Sequence, residues 1–146
     1  MRLKDCHGFS DFRELARRRL PSPIFNYIDG AADDETTYDR NTKSFEECDL
    51  IPNVLRGVES IDMSVTIMGQ KLDMPIYCSP TALQRVFHYS GEHAVAAAAD
   101  KFGTMFGVSS LGTVSLTEVR EQYNGPQCYQ FYFHKDRGLN QVMLEN

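Results

Sequence analysis

An α/β chain that opens a (β/α)8 TIM barrel is the fold this sequence predicts, and three observations carry the expectation. From Met74 onward, short apolar runs alternate three times with helical patterns. Repetition of that kind makes a parallel sheet with right-handed crossovers. Before it come capped helical segments and one hairpin signal. Finally, about three βα units cannot close a barrel, and left open they would expose two bare edges. The expected parent is therefore a single barrel domain of about 250 residues or more, of which 1–146 form the N-terminal part: a helical lead-in over 1–60 and the barrel's start over 61–146. A small doubly wound sheet is the rival architecture.

Prolines and glycines punctuate the lead-in. Ser10 is placed to cap a first helix, with Asp11 and Glu14 in its first turn, Phe12, Leu15 and Ala16 as its apolar stripe, and Pro21 as its end. Ser22 and Pro23 open a second helix with Ile24, Phe25 and Ile28 on its buried face and Tyr27 beside them; Gly30 stops it. "ADDETTYDRNTKSFEE" reads as a third, more polar helix. The period then changes. Val65 and Ile67 lead into a tight turn at Gly69-Gln70, a hairpin signal.

"MPIYCS" (74–79), bounded by Pro80, is the first parallel strand, and "GEHAVAAAADKFG" is the helix after it, stopped by Gly103. "TMFGVS" (104–109) is the second strand; Ser115 and Glu118 form an S-x-x-E capping box for the helix that follows. The Asn124-Gly125-Pro126 turn leads to "QCYQFYF" (127–133), and another helix begins at Gly138. Alternation along this third strand puts Cys128, Gln130 and Tyr132 on one face and Tyr129, Phe131 and Phe133 on the other.

Composition narrows the function. The 146 residues are 42% hydrophobic and 24% charged, enough for one domain with a core. A net charge of −5 and a pI near 5.3 argue against a nucleic-acid binder held by phosphate contacts. Arg17-Arg18-Arg19 suits the negative end of a helix better than a membrane surface. Cys6, Cys48, Cys78 and Cys128 show neither metal-ligand spacing nor a disulfide framework, so reduced thiols, no metal and a cytoplasmic location are expected. "MRLKDCHGFS" has no apolar signal region, and no apolar run reaches the roughly 18 residues of a membrane span. Peripheral-membrane or organellar association stays open. There is no G-x-G-x-x-G, phosphate loop or G-x-S-x-G, and His7, His88, His93 and His134 make no triad or metal pattern.

Ligands of parallel α/β folds sit beyond the carboxyl ends of the strands. The first strand ends in Pro80-Thr81-Ala82, a fixed turn with side chains small enough for backbone to touch a flat ligand; the second ends in Ser109-Ser110; the third ends around Gln130 and Tyr132. Singly, each reads better as a loop hydroxyl or a core aromatic. Converging from three consecutive strands, these hydroxyls, amide, phenol and backbone groups suit the hydrogen-bonding edge of a heteroaromatic ring.

"FNYIDGAADDE", "MPIYCSPTALQ", "GVSSLGTVSLTEV" and "YQFYFHKDR", in this order and spacing, resemble the FMN-dependent α-hydroxy-acid dehydrogenases and oxidases. That family includes glycolate oxidase, lactate oxidase and dehydrogenase, mandelate dehydrogenase and the flavin domain of flavocytochrome b2, and the resemblance spans residues 9–146. It implies a TIM barrel preceded by helices, with FMN as cofactor. It also implies oxidation of a small 2-hydroxy acid to the 2-oxo acid, with oxygen, a quinone or a cytochrome as electron acceptor, in a homo-oligomer when complete. By resemblance, the Pro80, Thr81 and Ala82 backbone approaches the flavin, Ser109 and Gln130 bond its polar edge, Tyr27 reaches the substrate carboxylate, and Tyr132 bonds the reacting oxygen as a catalytic and substrate-binding group. The family's base, carboxylate-clamping Arg and flavin-facing Lys belong to later parts of the barrel. Leu111 stands where some members carry a Trp over the substrate, which points to a longer 2-hydroxy acid, such as lactate or an aryl or aliphatic homologue, rather than glycolate. Phe131 replaces the more usual Leu, on the outward face.

Two other readings stand beside this one: a catalytically incompetent piece that only binds a partner or serves a structural role, and an unrelated α/β flavin- or nucleotide-binding module. The expectation for residues 1–146 by themselves is that they neither retain FMN nor oxidise a 2-hydroxy acid, whereas co-expression with the remainder of the barrel restores both. Purification of the chain alone and assay of lactate oxidation with an artificial electron acceptor checks this; a yellow, active monomer contradicts it.

Overall fold

The computed structural model describes residues 2–145. The chain divides into two units, Met1–Glu59 and Ser60–Asn146.

The first unit holds a 3-10 turn (Leu3–Asp5) and three helices: α1 (Phe9–Arg19), α2 (Ser22–Asp29) and α3 (Thr36–Glu46). Helix α1 starts earlier than the sequence predicts. Gly8, not Ser10, is its cap, because the Asp11 carboxylate accepts the N–H groups of His7 (2.9 Å) and Gly8 (3.0 Å) and so closes the first turn around them. Arg17, Arg18 and Arg19 do fall in the last turn, where cations complement the macrodipole. Helix α2 has Pro21 as its cap and Ser22 already inside it. Arg13 reaches from α1 to Asp29 at the end of α2 with bonds of 2.6 and 2.9 Å, and the guanidinium holds the Asp29 carboxyl below its usual range. Among the described residues of this unit only Leu15 and Phe25 are buried; Phe12 and Ile28 stay largely exposed, so the apolar stripes are narrower than expected. Left-handed backbone at Asp33 and Glu35 delays α3 to Thr36.

The second unit opens with an antiparallel hairpin, β1 (Val65–Ile67) and β2 (Gln70–Leu72), paired Val65↔Leu72 to Ile67↔Gln70. Its turn is Met68-Gly69, both at positive φ (51° and 75°), the primed geometry that matches strand twist. Gln70, expected in the turn, is already in the ladder.

The remaining elements are α4 (Gln84–Phe87), α5 (Glu92–Lys101), β3 (Phe106–Ser109), α6 (Leu116–Gln122), β4 (Gln127–Gln130) and α7 (Arg137–Glu145). Strands β3 and β4 pair in parallel from Phe106↔Gln127 to Ser109↔Gln130, and Cys78 bridges Phe106 in parallel on the other side. Three parallel segments thus lie side by side in chain order, as in a barrel wall. Phe106 and Val108 pack with Ala96 and Ala99 of α5 and Val119 of α6; the small alanines let the helix approach the sheet closely. Tyr129 joins that cluster, so Gly107, Ser109, Cys128 and Gln130 occupy the opposite, inner face.

All three parallel strands are shorter than expected, β3 starting at Phe106 rather than Thr104. The first strand is reduced to the single bridge at Cys78, because Pro75 has no N–H to donate and the Ile76 carbonyl accepts the Thr104 hydroxyl instead of a backbone amide. The third stops at Gln130 rather than Phe133, since β3 turns away at Ser110 and its last bond to β4 runs from the Ser110 N–H to the Gln130 carbonyl (3.0 Å). Helix α4 was not expected; Leu83 at φ 56° starts it.

Gly107 is a close approach. A Cβ there would lie 2.7 Å from Pro80 Cδ and 3.1 Å from the Cys78 carbonyl, whereas one at Gly69 would meet nothing within 4 Å. Gly107→Ala is therefore expected to destabilise by about 1–3 kcal/mol through overpacking, more than Gly69→Ala, whose penalty of about 1 kcal/mol is conformational. Urea midpoints of the two variants at unchanged slope check the order; equal shifts contradict it.

Candidate functional site

Strands β3 and β4 end level with each other, Ser109 paired with Gln130. The Ser109 and Ser110 hydroxyls both donate to Gln130 Oε1, at 3.4 and 3.5 Å, and Ser109 Oγ accepts the Leu111 N–H at 3.2 Å. With Oε1 turned to the two serines, the amide nitrogen is the group left to donate outward. Bonds this long are weak, so exchanging them for a ligand's costs little. Ser109 is buried and Gln130 half-buried.

Pro80 sits against Gly107, immediately before Val108 and Ser109 in β3, and leads into the half-buried Thr81 and Ala82. This first rim loop is tied down locally, with the Thr81 carbonyl accepting Gln84 Nε2 (3.3 Å) and the Leu83 N–H donating to the Leu111 carbonyl (3.1 Å). Tyr132 lies two residues beyond β4 and is 56% exposed. The rings of Tyr129, Phe131 and Phe133 follow one another at 6.3 and 6.0 Å, so side-chain alternation continues past the last ladder bond. Tyr27 lies on α2 in the Met1–Glu59 unit. The structure therefore brings Ser109 and Gln130 together, sets Pro80 beside their strand, and holds Thr81-Ala82 in the adjoining loop.

Among the described residues, the buried polar side chains that the sequence reading did not single out include Glu92 and Asn140. Glu92, at the start of α5, is fully buried; its carboxylate accepts the Thr113 N–H (2.7 Å) and the Thr113 hydroxyl (2.6 Å). Burial pushes its pKa up, but the bonds from Thr113 and from nearby backbone amides outweigh that and hold it below the usual range. Asn140 of α7 closes the loop after β4, its Oδ1 accepting the His134 N–H and its Nδ2 donating to the His134 carbonyl, both at 2.8 Å. Ser115 caps α6 as expected, accepting the Glu118 N–H at 3.1 Å, while the Glu118 carboxylate turns to His93 Nε2 (3.1 Å). On the inner face, burial pushes the Cys128 thiol up.

Chemically, the rim offers hydroxyl and amide donors, carbonyl acceptors and a nearby phenol. That donor set fits the alternating carbonyl and N–H groups of a flavin's pyrimidine edge. Among the described residues no His, Cys, Asp or Glu cluster could hold a metal ion, and no helix is long and apolar enough to cross a membrane.

Residues 16–146 match the FMN-dependent dehydrogenase family. The chain is 40% identical over 136 residues to an L-lactate dehydrogenase of Xanthobacter autotrophicus, covering 93% of this chain and 35% of the relative. It is 37% identical over 134 residues to glycolate oxidase 1 of Oryza sativa subsp. indica, covering 92% and 36%. It superposes on a soluble mutant of the (S)-mandelate dehydrogenase of Pseudomonas putida with a TM-score of 0.84 at 29% identity, covering 93% of this chain and 39% of the other. A lactate oxidase of Pediococcus acidilactici gives 0.84 at 28%, covering 93% and 38%. These neighbours are TIM barrels, and the chain has the fold of part of one, spanning little more than a third of the curated relatives' length.

The lowered Glu92 pKa fixes a sign. A carboxyl that ionises more readily folded than unfolded adds stability above its unfolded pKa and loses it as pH falls through the folded value. Wild type is expected to exceed Glu92→Gln by about 1–3 kcal/mol near neutral pH, the gap closing as pH falls below the usual carboxylate range. Urea unfolding across that range checks it; a gap independent of pH contradicts it.

Proposed function

Because the chain belongs to the FMN-dependent dehydrogenase family, we propose that it forms the flavin-edge wall of an enzyme oxidising a small, lactate-like 2-hydroxy acid to the 2-oxo acid. The observation that carries this reading is the Ser109–Ser110–Gln130 cluster, in register at the carboxyl ends of neighbouring parallel strands. In this reading Met1–Glu59 and Ser60–Asn146 are the lead-in and the barrel portion of one catalytic domain.

FMN, when bound, supplies the chemistry by taking the two electrons of the oxidation. The chain's own residues bind and orient. Gln130 and Ser109 would hold the polar edge of the flavin ring by hydrogen bonds, and the Pro80, Thr81 and Ala82 backbone, where small side chains leave room, would approach the ring. The Tyr132 hydroxyl donates to the substrate oxygen and stabilises charge as the carbonyl forms. Tyr27 binds the substrate carboxylate. The substrate hydroxyl's proton passes to a basic side chain that these residues do not supply. Leu111, 53% exposed on the second rim loop, offers an apolar wall to the methyl group of lactate, which supports a lactate-like acid over glycolate.

Tyr132→Phe in the full-length protein tests the assignment. Losing one donor to developing charge costs about 10²–10³ in kcat. The lower end is expected, because the ring remains, with flavin content unchanged. Steady-state assay with lactate alongside flavin quantitation decides it; unchanged kcat with full flavin would mean that Tyr132 only packs.

A further inference from the structure

We propose that Glu92 is a positioning residue, fastening the first and second rim loops to each other so that Thr81-Ala82 and Ser109 face the flavin as one surface. This rests on the functional reading above.

The argument starts from the cost of the group. A carboxylate with no exposure is tolerated only when its acceptor sites are filled. Its donors are uncharged: the N–H and hydroxyl of Thr113. Thr113 belongs to the loop after β3, so one side chain from α5 accepts both hydrogen bonds that this residue donates. An acceptor-only group can do this with every donor aimed inward; an amide would turn two N–H bonds of its own toward them.

Thr113 extends the link. Its hydroxyl donates to Glu92 Oε2 and accepts the Arg85 N–H at 3.2 Å, giving a relay from α5 through the second loop into the first. One residue pair nearer the site, the Leu83 N–H donates to the Leu111 carbonyl, while the Leu111 N–H donates to Ser109 Oγ. Displacing 111–113 therefore shifts Thr81–Leu83 and turns the Ser109 hydroxyl in the same movement. Neither Glu92 nor Thr113 belongs to the group that faces the flavin.

The experiment compares Glu92→Gln and Thr113→Val with Val119→Ala, a control that removes buried volume on the helix side of the sheet. All are made in the full-length protein. Amide hydrogen exchange without cofactor is read at Leu83 and Arg85, and FMN affinity is read by titration. Glu92→Gln and Thr113→Val should each speed exchange at those amides about tenfold and raise the FMN dissociation constant about tenfold. The double variant should add little, because both cut one relay. Val119→Ala should change neither. Unaltered exchange at Leu83 and Arg85 in Glu92→Gln overturns the proposal. So does a Val119→Ala variant that weakens FMN as much, since Glu92 would then act through general stability. Wild type that binds no FMN refutes the functional reading instead, and the exchange pattern still decides whether Glu92 fastens the loops.

Discussion

The parallel pairing of β3 with β4 in one register is the constraint on which the second unit depends. It spans four residue pairs, from Phe106↔Gln127 to Ser109↔Gln130. A slip by one would turn each side chain on the slipped strand to the other face. What holds the register is the helix side. Burying Phe106 and Val108 against Ala96, Ala99 and Val119 contributes roughly 1.5–3 kcal/mol for each large side chain. The two serine–glutamine bonds on the inner side are long and contribute far less. Packing therefore chooses the register, and the polar rim inherits it. The hydroxyls and the amide meet because apolar residues one position away are already fixed, which leaves the polar groups available to a ligand instead of committed to holding the strands.

Much of this was legible in the sequence because it is local. The switch from helical to alternating period located the hairpin and the parallel segments, Ser115 announced the start of α6, and residues at strand ends nominated Ser109 and Gln130. Errors arose where a distant group competes for a local one. Ser10 lost its capping place to Gly8, because the Asp11 carboxylate reaches back to the His7 and Gly8 amides. The Ile76 carbonyl went to a hydroxyl 28 residues away, shortening the first strand to a bridge. The third strand kept its alternation but lost its partner once β3 turned. Glu92 was the hardest to foresee. As the acid after a glycine at a helix start it reads as a solvated first-turn charge, and only its bonds to a threonine 21 residues on reveal a buried one.

Glu92 and Asn140 treat the loops differently. Glu92 joins segments far apart in sequence, and its reach depends on the hydroxyl of one particular threonine. Asn140 acts within six residues and meets only backbone. The first arrangement couples loops; the second gives a single loop its shape.

Asn140 grips the His134 peptide group through its N–H and its carbonyl and ignores the imidazole. The chain's route after β4 is thus written in main-chain atoms. The grip asks only for an N–H at position 134, which bars proline, and leaves the imidazole to pack edge-on against Phe131, ring centroids 6.3 Å apart. The residue at 140 has no such latitude. A carboxylate would face the carbonyl oxygen with a second acceptor, and an aliphatic side chain would leave both peptide atoms unanswered. For this one contact, variety is tolerated at the gripped residue and closed at the one that grips.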